Sequence, residues 1–141
     1  PLSPTPSPMS QTVPTPNPAP QIYGKNPQVQ KLSGNKYEPI RQIIYDAADE
    51  FGVDPSIMED IGFSESSLDS TKQSKKSTAG GLFQFIDSTW KQMMNELDLP
   101  ANTPKTDPEA NARAAALAIK KGRLNWWDES KWNWGRFHNN N

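Results

Sequence analysis

The chain contains no cysteine and a single histidine, His138, in 141 residues. The first absence excludes a disulfide framework and any thiolate metal site. The second leaves too few imidazoles for a histidine-based zinc centre. An excess of one charge is also missing: 15 bases against 16 acids give a net charge of -1, without the basic footprint that a general nucleic-acid binder needs. No apolar run approaches the roughly 20 residues that cross a bilayer, and no charged-then-apolar leader opens the chain. There is no GxSxG and no phosphate-binding loop, so nucleophilic triads and nucleotide chemistry lack parts, and neither a metal nor a cofactor is implied. The first residue is Pro1 and not Met, from which a processed or excised piece of something longer is expected.

What the chain does have is proline, unevenly spread. Nine of its 14 prolines lie in the first 27 residues. Residues 1–36 hold only eight hydrophobic side chains, three lysines and no acid, too little apolar surface to offset the entropy of ordering. They are expected to form a disordered, polyproline-like linker, with Pro1 to Pro4 a nominal PxxP match. Residues 37–141 carry all 16 acids against 12 bases and are expected to form one small domain.

Within that domain Glu38-Pro39, Asp54-Pro55 and Asp107-Pro108 each set an acid beside a proline. Proline suits the first helical turn, where a missing N–H costs nothing, and the acid meets the positive end of the helix dipole. From Ile40 the residues Ile40, Ile43, Ile44, Ala47, Ala48 and Phe51 make a 3.6-period stripe that Gly52 would cap. Ile57, Met58 and Ile61 begin a second helix. Asp87 is expected to cap a third, with Trp90, Met93, Met94 and Leu97 as its stripe and Pro100 as its stop. The alanine-rich run from Pro108 to Lys121 gives a fourth, ended by Gly122. Between the second and third, a Ser/Thr/Lys-rich stretch without period reads as loop, and Gly80-Gly81 before Leu82-Phe83-Gln84-Phe85 as a tight turn and short strand. The fold class is mainly α, a helical bundle with a small β-hairpin.

Carboxylate acid/base chemistry is what the composition leaves open. Glu65 stands out among the acids, at the end of a helix after Ile61 and Phe63 and just before the polar loop. Held against apolar groups, a carboxyl has its charged form disfavoured and can keep a proton to donate.

The segments Glu65-Ser66, Ala79-Gly80-Gly81-Leu82-Phe83-Gln84 and Ser88-Thr89-Trp90 resemble the lytic transglycosylases, an SLT-type family similar to goose-type lysozyme. In that family a helix-end Glu-Ser is followed by Gly-Leu-Met-Gln and by a Ser-Thr opening the next helix. Upstream, Ala47-Ala48 and Glu50 to Pro55 resemble the family's preceding helix pair, so the likeness runs over residues 40–121, with Phe83 in place of the usual Met. The family's Tyr-Asn-x-Gly has its nearest counterpart in Trp132-Asn133-Trp134-Gly135. A glycine- and tryptophan-rich ending over Gly122 to Trp134 is the other alignment, and both stay open.

The resemblance implies a lysozyme-like α+β domain with its hairpin beside the active-site cleft, acting on the glycan strands of bacterial peptidoglycan. Glu65 would be the single general acid/base that cleaves the β-1,4 MurNAc-GlcNAc bond and leaves a 1,6-anhydro end. Ser66, Gly81, Leu82, Phe83, Gln84, Trp132 and Asn133 would bind substrate. A hydrolytic muramidase is the alternative, with Asp69 or Asp87 as its second carboxylate, and a non-catalytic glycan-binding module of a larger assembly is another. The implied setting is extracytoplasmic, in the periplasm, the cell wall or a phage virion.

Overall fold

The computed structural model describes residues 21–138, and the first 20 positions of the expected linker lie outside them. The helices are α1 (Pro27–Gln30), α2 (Glu38–Phe51), α3 (Pro55–Ser66), α4 (Asp87–Glu96) and α5 (Pro108–Lys120). A 3-10 segment, Leu124–Ser130, then leads into α6 (Lys131–Trp134) and a last 3-10 turn, Gly135–Phe137. Asp54 and Asp107 cap α3 and α5 through their side chains, each with a proline in the first turn. α2 starts on the same signal, but its cap position is Tyr37 and Glu38 is already helical. Asp87 likewise stands inside α4, after Ile86, and its carboxylate pairs with Lys105.

α2 buries Ile44, Ala47 and Ala48 against α5, whose buried Ala110, Ala112, Ala114, Ala115, Ala116 and Ala118 let the two backbones approach closely. Gly52 closes α2 in the left-handed conformation at φ 68°. Across the bundle, Glu96 of α4 binds Arg123 and Lys121, and these hydrogen bonds hold its carboxyl at about 2. α3 is the central element, touching α1, α2, α6 and the Leu124–Ser130 segment. It has no clean polar face: Met58, Glu59, Asp60, Ile61 and Gly62 are all buried.

Two sequence expectations are corrected here. Among the described residues the hairpin shrinks to two isolated antiparallel bridges, Gln73 with Gly80 and Gly80 with Phe85. Leu82, Phe83 and Phe85 are buried in the core, and Gly81 and Gln84 adopt left-handed φ values of 83° and 55°, so the run coils where a strand would alternate. The second correction concerns the linker, because residues 21–36 pack onto the domain. Val29 is fully buried, a contribution of about 1.5–3 kcal/mol. The backbone amides of Tyr23 and Gly24 donate to Glu59 at 3.0 and 2.8 Å, and those of Lys25 and Asn26 to Asp60 at 2.9 and 3.3 Å. Composition missed this because the strap is held mainly through its backbone, by acids that belong to another helix.

Arg41 completes the cluster: it pairs with Glu59 and donates to the Val29 and Leu32 carbonyls at 2.8 and 3.0 Å. His138 reaches Asp60 at 2.5 Å from the far end of the chain. Gly24 has no room for a side chain, since a Cβ there would stand 2.7 Å from both Asp60 Oδ1 and Val29 Cγ1.

Candidate active site

α3 ends abruptly. Ser67 and Leu68 both take left-handed backbone conformations, at φ 56° and 61°, a cost of about 1–2 kcal/mol each for residues with a Cβ. The turn stops the helix directly after Glu65-Ser66, so Glu65 sits in its last turn, half-buried, lining an open cleft of about 490 Å³. Phe83, Phe85, Ile86, Trp126 and Trp127 supply the apolar wall, and Ser74, Ser77, Gln84, Thr89 and Glu129 the polar rim.

Burial is the largest influence on the Glu65 carboxyl and raises its pKa from the ordinary value, and the Glu129 carboxylate pushes the same way. The Ser130 hydroxyl, which donates a hydrogen bond to Glu65 Oε2, and the charge on Lys72 oppose the rise without cancelling it. No cation pairs with this carboxylate among the described residues. The carboxyl therefore holds its proton more tightly than a free glutamate does, on a group that lines an open cleft.

The remaining sequence candidates divide. Gln84 lines the cleft, and its amide nitrogen donates to the Lys72 and Gly81 carbonyls at 3.1 and 2.8 Å, so the amide oxygen is the end left for a ligand. Phe83 forms the cleft floor: its ring meets Trp127 edge-on at 6.2 Å, its carbonyl accepts from Trp127 Nε1 at 3.0 Å and its amide donates to Asn111. Leu82 is wholly buried and stands behind that floor. Gly81 is needed for packing, because a Cβ would fall 2.2 Å from both Asn111 Nδ2 and the Lys105 carbonyl. Ser66 turns inward and donates to the Gly62 carbonyl at 3.0 Å, so Ser130 and not Ser66 holds the Glu65 carboxyl.

Asn133 donates to Ser64 at 3.0 Å, which pins α6 beside the end of α3. Trp132, its neighbour, points away: it is 75% exposed and lines a different cavity with Ile57, Leu124 and Arg136. Asp69 caps a local turn through Thr71, and neither it nor Asp87 lines the Glu65 cleft. The residues that sequence reasoning missed are Glu129 and Ser130, both on Leu124–Ser130. Their signal was the tryptophan-dense ending, read for its aromatics and not for the acid and hydroxyl among them. No group of three His, Asp or Glu side chains gathers as metal ligands among the described residues.

A mainly helical domain with a carboxyl of raised pKa lining an aromatic cleft has the makings of a glycoside-cleaving enzyme. The family model described as "Transglycosylase SLT domain" matches residues 42–133, and the chain belongs to that family. It is a lytic transglycosylase catalytic domain, a peptidoglycan-cleaving enzyme. Comparison with curated proteins and with solved structures gives no match.

Proposed function

We propose that Glu65 is the single general acid/base of a reaction that cuts the β-1,4 MurNAc-GlcNAc bond and closes a 1,6-anhydro ring on the muramic acid. The observation that carries this reading is the half-buried Glu65 carboxyl with raised pKa lining the cleft. The protonated carboxyl gives its proton to the glycosidic oxygen as the C–O bond breaks and positive charge develops at the anomeric carbon. The resulting carboxylate then takes the proton of the same sugar's 6-hydroxyl, whose oxygen attacks that carbon. Glu65 finishes protonated, and no water is consumed. Ser130 stabilises the carboxylate stage, while the Gln84 amide oxygen and the exposed ring of Trp126 receive the sugars, with the buried Trp127 packed beside that ring. The matching polymer lies outside the cytoplasmic membrane, in the cell wall, which an envelope-bound or virion-borne enzyme would reach.

Glu129 favours a second reading. It is a further carboxylate on the same cleft and could activate water, which would make the enzyme a hydrolytic muramidase. Mass spectrometry of muropeptides released from purified sacculi separates the two. Ends lighter by one water support anhydro-ring closure, and reducing ends that take up labelled oxygen from the solvent support hydrolysis. Release that persists in Glu65→Gln would overturn both.

A further inference from the structure

The four-residue helix α6 looks two ways. Ser130, just before it, contacts Glu65, whereas Trp132, two residues on, lines a cavity that shares no residue with the Glu65 cleft. Asn133 is tied to Ser64, and Trp134 is buried with its Nε1 donating to the Trp127 carbonyl at 3.1 Å. Trp132 is thus an exposed indole on a firmly anchored support. Among the described residues it makes no aromatic pair, unlike Trp90, Trp126 and Trp127. It borders an open cavity of about 540 Å³, a size that holds a small ligand, together with Lys131, Gly135, Arg136, Leu124 and Ile57. Lys131 and Arg136 are exposed beside it.

We propose that this cavity is a second glycan-binding site, separate from the Glu65 cleft, that takes a peptidoglycan strand beyond the bond being cut. The flat indole suits the apolar face of a sugar ring. The two cations complement the carboxylates of the peptide stems that peptidoglycan carries on its muramic acids. A long polymer can engage both sites at once, and holding it at one raises its effective concentration at the other. The inference rests on the peptidoglycan reading of the cleft, but binding can be measured without cleavage.

The test is co-sedimentation of Glu65→Gln protein with sacculi stripped of secondary wall polymers, with Trp132→Ala and Trp132→Gln added to that background. The expected result is a loss of affinity of about three- to tenfold in both variants, with unchanged thermal melting. Lys131→Gln/Arg136→Gln should weaken binding at low salt and lose that effect at high salt. Undiminished sedimentation of the Trp132 variants overturns the proposal, as does binding only to unstripped walls, which would assign the site to another wall polymer. A wild-type protein that binds through Trp132 but releases no muropeptides would sink the catalytic reading alone.

Discussion

α3 carries three acids in two settings. Near its middle, Glu59 and Asp60 are fully buried and fully paired: Arg41, Tyr45 and two backbone amides meet Glu59, while His138 and two more amides meet Asp60. Six residues past Glu59, Glu65 has only the Ser130 hydroxyl and a half-buried position. The more deeply buried acids are the less reactive, because Glu59 already takes four hydrogen bonds and Asp60 three, and no ligand can reach them. On the proposed reading the chemistry falls to the acid whose desolvation is only partly compensated.

The sharpest way to break this contrast is Glu65→Gln. It should lower cleavage of sacculi by about 10²–10⁴-fold, read as muropeptide release. Its thermal melting should stay level or rise at neutral pH. The folded protein holds the Glu65 proton more tightly than the unfolded chain does, so ionising that carboxyl costs stability. The cost is absent below the ordinary carboxylate range and grows as pH rises through the raised pKa, and glutamine removes it. A large fall in melting temperature would place Glu65 with the structural acids.

Arg41→Met makes the complementary test. It strips the cation from Glu59 and should cost about 3–5 kcal/mol in denaturant unfolding, with activity per folded molecule retained. A smaller loss is expected from Gly24→Ala, about 1–3 kcal/mol, because the new methyl would collide with Asp60 and Val29. A neutral result there would show that the strap is dispensable.

The subtlest effects lie in the pH profile. A general acid must be protonated, so activity should fall as pH rises through the Glu65 pKa. Glu129→Gln removes a charge that raises that pKa and should move the alkaline limb to lower pH, whereas Ser130→Ala removes a donor that lowers it and should move the limb to higher pH. Shifts of the same sign would mean that neither residue acts through Glu65.

Much of the helical frame was legible because its signals are local. The prolines at 39, 55 and 108 start their helices, and Gly52 ends α2, all within a turn of where the chain reads them. Glu65 was legible through its place after an apolar run. The strap was not, because Tyr23 to Asn26 are bound through main-chain N–H groups that any sequence carries. Ser130 was not, since 65 residues separate it from Glu65 and nothing local marks a serine that folding will bring to a carboxyl. Trp132 and Asn133 were read as one motif, yet neighbouring helical residues point about 100° apart and reached different sites.

Asp60 has one more consequence. It is grasped from the N-terminal side by Lys25 and Asn26 and from the C-terminal side by His138. Segments from both sides of the domain thus meet on one carboxylate near the middle of α3, more than a helical turn from the end that presents Glu65.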